Sequence, residues 1–348
     1  METFAIGARR VGPDAPCFVI AEIGVNHNGD EALARRMLDA AVEAGADAVK
    51  FQSFSADRLA APATQTAAYQ RVNSGETDQH AMLKRLELGE AAHRRLMAQC
   101  AARGVVFLSS PFDINSIDML DALGVAAFKV PSPDCVSTSY LRRMGSKGRP
   151  VILSTGMCTL EESLYGLRIL REAGSGPVVL LHCTSCYPAP PGELNLRAMA
   201  TLATAAGAPV GYSDHSDGAA VALAAVALGA CVIEKHFTLD RALPGPDHQA
   251  SLEPPTFAAM VAGIREVEAA LGVPRKAPQP SEESGRRLGR RSVAAARALS
   301  AGARITQGDL ILLRPADGFP PMMEEHLVGR VLARPVAAGA LLAPDDLV

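Results

Sequence analysis

Eight short apolar runs, each followed by a longer segment with helical spacing, lie between Cys17 and about Leu271. In chain order they begin at Phe18, Ala48, Val105, Ala127, Val151, Val178, Val210 and Cys231. A continuously apolar strand has no solvent face, so such strands alternating with helices specify a parallel sheet covered on both sides. Eight units in roughly 250 residues fit a closed (β/α)8 TIM barrel, class α/β, better than an open sheet. The intervening segments mix Ala and Leu with spaced charges, and most end near a glycine able to cap a helix, such as Gly45, Gly104, Gly174 and Gly207. One connection departs from this rhythm: residues 53–81, rich in Ala, Thr, Gln and Ser, read as an extended loop after the second strand. A long loop on that face of a barrel is usually functional.

With 348 residues, 48% hydrophobic and 20% charged, the chain has material for a large core and a second, smaller domain. A formal net charge of -3 and a pI near 6.3 supply no basic stripe to release counterions from a phosphate backbone, which excludes a general nucleic-acid binder. Residues 1–16 show no signal-peptide pattern and no apolar stretch approaches a membrane span, so a cytoplasmic enzyme acting on small molecules, with no membrane partner, is expected. The seven cysteines are scattered, and Cys183 and Cys186 have no second pair to complete a zinc site, so reduced thiols are expected. The domains read as a barrel over 1–271, a proline-rich linker over 272–291 with Arg286, Arg287, Arg290 and Arg291, and a compact, mainly β module over 292–348. That module carries a quasi-repeat: Ala301-Gly302-Ala303 with Asp309-Leu310 returns as Ala338-Gly339-Ala340 with Asp346-Leu347.

The seventh and eighth runs each end in a histidine, His215 and His236, which places two imidazoles side by side at the carboxyl edge of the sheet, where α/β enzymes hold ligands. Polar residues end the other runs too: Glu22, then Lys50 and Gln52, Ser109 and Ser110, Lys129 and Ser132, Ser154, His182 and Thr184, Ser213 and Asp214, and Glu234. Convergence of these on one pocket is expected. Lys50 and Lys129, with the hydroxyls of Ser110, Ser132 and Ser154, make a cationic, donor-rich surface suited to a carboxylate and a phosphate. His215 and His236, with water and a carboxylate such as Asp247, offer ligands to a divalent ion; with no thiolate present, manganese or magnesium is as reasonable as zinc. Glu22 is the candidate for proton transfer, its alternative role being a structural ion pair with Lys50.

The motifs Ala21-Glu22-Ile23-Gly24-Val25-Asn26-His27-Asn28-Gly29, Val49-Lys50-Phe51-Gln52, Lys129-Val130-Pro131-Ser132, Ser154-Thr155-Gly156-Met157, His182-Cys183-Thr184, Ser213-Asp214-His215 and Pro244-Gly245-Pro246-Asp247 resemble the series found in the N-acetylneuraminate (sialic acid) synthase family. In the tail, Arg291-Ser292 and Leu313-Arg314-Pro315 resemble that family's C-terminal antifreeze-like (SAF) domain. The resemblance implies metal-dependent condensation of phosphoenolpyruvate with an N-acetylated amino sugar to a nonulosonic acid and phosphate. The first expectation for the sugar is N-acetylmannosamine. The alternative is a 2,4-diacetamido-6-deoxyhexose, as in pseudaminic or legionaminic acid synthases.

Carried onto this sequence, the resemblance implies that Lys50, Ser110, Lys129, Ser132, Ser154 and Ser213 hold phosphoenolpyruvate, with Tyr187 beside it. It implies that His215 and His236 hold the metal, Mn2+ first and Mg2+ or Co2+ as alternatives, with Glu22 as the catalytic proton-transfer residue. Gln52, Asp134 and Asp247 would contact the sugar, and Arg314 would reach it from the second copy of a domain-swapped homodimer. Pro131, Pro133, Ser185 and Leu288 depart from the family pattern, and a serine after Cys-Thr resembles the branches that use diamino sugars. Nothing supplies a second phosphate pocket, so an unphosphorylated sugar is expected. Two other readings compete. A metal-dependent hydrolase usually opens with paired histidines at the first strand, where this chain has Glu22, and a non-catalytic binding protein would lack a complete site.

Overall fold

A computed structural model describes residues 2–61 and 63–348. Met1, the first residue of the expected barrel domain, and Pro62, inside the expected loop, lie outside the described residues. The chain divides into two units, Met1–Gly272 and Val273–Val348.

In the first unit a hairpin, β1 (Phe4–Ile6) and β2 (Arg9–Val11), precedes eight strands: β3 (Phe18–Gly24), β4 (Ala48–Ser53), β5 (Val106–Pro111), β6 (Phe128–Val130), β7 (Val151–Ser154), β8 (Val178–Cys183), β9 (Val210–Asp214) and β10 (Val232–His236). They form one sheet in the order β5-β4-β3-β10-β9-β8-β7-β6, every hydrogen-bonded pair in it parallel, and its outer strands β5 and β6 lie side by side in a nearly closed barrel. All eight expected strands are present.

Because strand side chains alternate between faces, each strand feeds two cores. Phe18, Ile20, Ala48, Leu108, Ile152, Val179, Leu181 and Val232 point inward and meet Ile6 and Val11, with which the hairpin closes the end of the barrel where the strands begin. Val19, Ala21, Val49, Phe51, Leu153, Leu180 and Ile233 point outward, into the core beneath the surrounding helices. Continuing the inward series by one step from Ile20, Ala48, Leu108, Ile152 and Val232 brings Glu22, Lys50, Ser110, Ser154 and Glu234 to the opposite mouth.

The helices are α1 (Glu31–Glu43), α2 (Ala56–Leu59), α3 (Ala68–Ser74), α4 (Gln79–Leu86), α5 (Glu90–Arg103), α6 (Ile114–Leu123), α7 (Thr138–Gly145), α8 (Leu160–Glu172), α9 (Ala198–Ala206), α10 (Ala220–Ala227) and α11 (Pro254–Leu271). Side chains close several of their N-termini: the Asp30 carboxylate accepts from the Ala32 N–H of α1 at 2.7 Å, and Thr159 with Glu162 forms a reciprocal cap on α8. The stretch read as a loop over 53–81 is a correction, since it carries α2, α3 and the start of α4. These helices have four, seven and eight residues and little intrinsic stability, so their contacts with the barrel hold them. Gly29 lets α4 approach: at φ +77 it lies so near the Arg85 carbonyl that a Cβ would stand 2.2 Å from that oxygen.

The second unit is built around β11 (Ser292–Ala295), antiparallel to β12 (Leu310–Leu313), with further bridges such as Leu299↔Val336 and Arg304↔Val331. Its core gathers Val293, Ile305, Leu310, Leu327, Leu332 and Leu342. The stretch expected to be a linker is partly folded. It carries α12 (Glu283–Gly289), and Arg287 donates to Asp317 at 2.9 Å.

Candidate active site

Four buried charges occupy the inner face of the barrel mouth. Lys50 Nζ lies 2.8 Å from Glu22 Oε2 and 3.7 Å from Glu234 Oε2, and it donates to Ser110 Oγ at 3.0 Å. Lys129 Nζ donates to Ser154 Oγ at 2.7 Å and stands 3.5 Å from Glu234 Oε1, which also accepts from Ser213 Oγ at 3.0 Å. Two ammonium groups and two carboxylates balance, which is what allows them to be buried together. Burial works against the Glu234 carboxylate, but Lys129 and Lys50 outweigh it and hold its pKa down at about 2. Burial also dominates at Glu22, where Glu234 adds repulsion, and despite Lys50 its pKa rises to about 7. The two carboxylates are thus shifted in opposite directions within one cluster: Glu234 stays ionised, while Glu22 can take up or release a proton near neutral pH.

Above this cluster stand the imidazoles. The rings of His215 and His236 have centroids 5.5 Å apart, and the Tyr187 ring lies 4.2 Å from the first and 5.5 Å from the second. His215 Nδ1 faces the Thr184 carbonyl at 2.8 Å, which fixes the ring with Nε2 on its far side. Burial, with His215 and Lys50 nearby, keeps His236 neutral, and its Nδ1 is buried with no hydrogen-bond partner, 4.0 Å from Asp247 Oδ2. Burial raises Asp247 to about 6. A neutral His236 with an unpartnered buried nitrogen fits a divalent cation; at His215 burial is outweighed by Cys183 and the Thr184 carbonyl, which raise its pKa. Among the described residues no three His, Cys, Asp or Glu side chains group as a metal site.

A cavity of about 530 Å³ joins these groups. Glu22, Lys50, Ser110, Lys129, Ser154 and Ser213 line its base, and Tyr187, His215, His236 and Asp247 line its side. Ser132, placed by a short 3-10 turn over Ser132–Val136, also reaches it and accepts from the Gly156 N–H at 3.0 Å. Any side chain at Gly156 would collide there, since a Cβ would lie 2.3 Å from Ser185 Oγ and 2.8 Å from Ser132 Oγ. Gln52 lines it while donating to Glu22 Oε1 at 3.4 Å, and so does Asp134, whose carboxyl is raised by burial. Of the departing residues, Pro131, Pro133 and Ser185 face the cavity. Arg314 belongs to the second unit and is exposed; Leu288 is likewise exposed, on α12.

Not every polar strand end converges, which corrects the expectation that they all do. Ser109 points outward to Ser53 Oγ at 2.7 Å, and His182 outward to the Leu194 carbonyl at 2.7 Å. Asp214 also lies on the outer face, where Lys235 Nζ donates to it at 2.8 Å, and Thr184 is absent from the cavity lining. Glu234 reaches the pocket as expected, but the sequence assigns it no role there, although it is in phase with His236 on β10; Cys183, 3.6 Å from His215 Nδ1, is a site residue missed from the sequence.

A family model described as the NeuB family matches residues 37–276, and one described as the SAF domain matches residues 290–348. The chain belongs to the NeuB family. It is 46% identical to the N,N'-diacetyllegionaminic acid synthase of Legionella pneumophila over 97% of this chain and 96% of the relative. With the Campylobacter jejuni protein of the same name it shares 41% identity, over 91% of this chain and 96% of that one. The crystal structure of an N-acetylneuraminic acid synthetase from Leptospira borgpetersenii superposes with a TM-score of 0.72 at 34% identity, covering 82% of this chain and 95% of that one. NeuB membership makes the chain an enzyme of the synthase type, which sets aside both the hydrolase and the binding-protein readings, and its C-terminal unit is a SAF domain. No helix among the described residues is long and apolar enough to cross a membrane.

Proposed function

We propose that the chain condenses phosphoenolpyruvate with an unphosphorylated, open-chain 2,4-diacetamido-6-deoxyhexose, giving a nine-carbon 2-keto acid and inorganic phosphate. The observation that carries this reading is the buried Glu22–Lys50–Glu234–Lys129 cluster beneath the His215 and His236 rings in one cavity. Two ammonium groups and a ring of hydroxyls suit a ligand bearing both a carboxylate and a phosphate. N-acetylmannosamine gives way to the diacetamido sugar because the relatives at 46% and 41% identity are diacetyllegionaminic acid synthases, while the sialic acid synthetase stands at 34%.

Lys50 and Lys129, with Ser110, Ser132, Ser154 and Ser213, hold phosphoenolpyruvate so that its C3 faces the sugar aldehyde, and Tyr187 packs beside it. His215 and His236 hold a divalent cation, Mn2+ first and Mg2+ or Co2+ as alternatives, which when bound supplies Lewis acidity at the aldehyde oxygen. As the C3–C1 bond forms, Glu22 delivers its proton to that oxygen. It then takes one from the water that adds at C2, and the C2–O bond to phosphate breaks as the new C2 hydroxyl becomes the ketone and its proton leaves with the phosphate. Gln52, Asp134 and Asp247 orient the sugar. Arg314, exposed in its own unit, serves the sugar's N-acyl group from the second copy of a domain-swapped homodimer.

Purified protein incubated with phosphoenolpyruvate, Mn2+ and a panel of 2-acetamido and 2,4-diacetamido sugars tests this by phosphate release. Release is expected with a diacetamido sugar and not without sugar; sugar-independent release, or none with any sugar, overturns the reading.

A further inference from the structure

The charged residues lining the cavity come from the strand ends and the turns after them, whereas the side built by α2–α4 contributes none. There α4 presents Gln79, Met82, Leu83 and Leu86, positions that share one face of a helix. The face is braced. Met82 and Leu86 are buried with Val25 and Phe54 in a cluster of their own, against which Leu83 and Phe112 pack. The charged residues of α4 lie elsewhere: Lys84 pairs with Asp57 at 2.9 Å and Arg85 with Glu76 at 2.8 Å. Gln79 makes no side-chain hydrogen bond to another described residue, and Gln70, which also lines the cavity, uses its amide oxygen to accept from the Ala67 N–H at 3.1 Å while its NH2 group donates to no described residue.

A wall of hydrocarbon with carboxamides at one end is complementary to a ligand carrying amides and methyl groups. It is a poor surface for hydroxyls, because a hydroxyl pressed against it loses its water without gaining a partner. We infer that this face of α4 selects the sugar: Gln70 and Gln79 meet an N-acyl amide, while Met82, Leu83 and Leu86 meet the acyl methyl and the methyl carbon of a 6-deoxy sugar. The inference rests on the synthase reading and deepens it by assigning the choice of sugar to a helix outside the reacting cluster. Selection of this kind has a ceiling, since an apolar surface rejects an added hydroxyl by roughly 100-fold at most.

The test compares kcat/KM for 2,4-diacetamido-2,4,6-trideoxymannose and its 6-hydroxy counterpart on the full chain with Mn2+. The wild type is expected to prefer the deoxy sugar by about 30- to 100-fold. Leu83→Asn should reduce that ratio about tenfold with the KM for phosphoenolpyruvate unchanged. Gln79→Leu should raise the KM for both sugars and leave the ratio alone. Equal use of the two sugars by the wild type, or a ratio unmoved by Leu83→Asn, overturns the role of this wall while leaving the synthase reading standing. Absence of phosphate release with every sugar instead overturns the synthase reading itself. The wild-type ratio decides the matter should the Leu83 variant fail to fold.

Discussion

The barrel mouth and the C-terminal unit both bury carboxylates, and they do so to opposite ends. In the C-terminal unit Asp309 accepts from Arg297 Nε at 2.8 Å and from the Thr306 N–H at 2.9 Å; Asp346 repeats this with Arg334 Nε at 2.6 Å and the Ala343 N–H at 2.8 Å. Leu299 and Val336 exchange backbone hydrogen bonds of 2.8 and 2.9 Å where the two halves meet. Each aspartate is consumed by its own turn and by a largely exposed arginine. At the barrel mouth the charges are drawn from different strands, and Glu234 Oε2 and His236 Nδ1 are buried with no hydrogen-bond partner beside a cavity. Saturated carboxylates hold architecture together; incompletely satisfied ones facing open space are poised for a ligand.

Removing a charge should therefore damage chemistry in one place and stability in the other. Lys129→Met is the largest expected effect: it deletes a buried partner of Glu234 and a ligand for the anionic substrate, so kcat/KM for phosphoenolpyruvate should fall by about 100- to 10,000-fold, as for loss of a buried ionic contact. Steady-state kinetics at saturating sugar measure this, and a loss under about fivefold would assign Lys129 to the surface-like class of charges. His236→Ala should abolish metal-dependent turnover and also weaken Mn2+ binding measured directly by electron paramagnetic resonance, while circular dichroism stays unchanged. Mn2+ binding that equals wild type would remove the imidazole pair from the proposed cation site.

A smaller effect concerns histidines that serve the fold. Burial holds His27 down at about 4 and also lowers His93, whose Nε2 lies 2.7 Å from Ser53 Oγ on the outer face of β4. Both are neutral when folded and bind protons more readily when unfolded. Their stabilising contribution is therefore complete above the unfolded pKa near 6.5 and is lost as pH falls below it; for His27 the loss runs down to about 4, at about 1.4 kcal/mol per pH unit. Denaturant unfolding at pH 7 and pH 5 should show this loss, and His27→Gln should flatten it. A pH-independent midpoint over that range would mean the rings are solvated.

Much of this contrast is written in the strand alternation. Once Phe18, Ile20 and Glu22 are known to face inward, Lys50, Ser110, Ser154 and Glu234 follow from the same phase. An unbroken apolar run does not itself reveal that phase, because both of its faces are buried, and this is why Asp214 and Ser109 read as site residues although they point outward. The α2–α4 wall was illegible for another reason. Its helices are too short for a 3.6-residue period to stand out, and short helices of even good helix formers are marginal without packing. Within the expected linker, the Arg287–Asp317 pair joins residues |i−j|=30 apart, a contact no local pattern announces.

The C-terminal repeat permits the mildest and most exacting test of the comparison. Arg334→Ala leaves Asp346 with its own turn, since the Ala343 N–H still donates to it, so the substitution removes one charge-assisted bond from an arginine that is mostly in solvent. A bond of that kind contributes little, and melting of the C-terminal unit should fall by about 5 °C or less. Asp346→Ala removes the acceptor for the turn as well and should cost more, with faster hydrogen exchange at Ala343 and Leu347. The corresponding pair in the other half, Arg297→Ala and Asp309→Ala, should give the same order, because each aspartate accepts from its arginine and its own turn. Asp309→Ala should nevertheless cost more than Asp346→Ala, since Asp309 also accepts from Thr306 Oγ1 at 2.6 Å where the other half has Ala343. Equal costs for the two aspartate substitutions would show that the Thr306 hydroxyl adds nothing to its turn, and a larger cost at Asp346 would show that something beyond these turns distinguishes the halves.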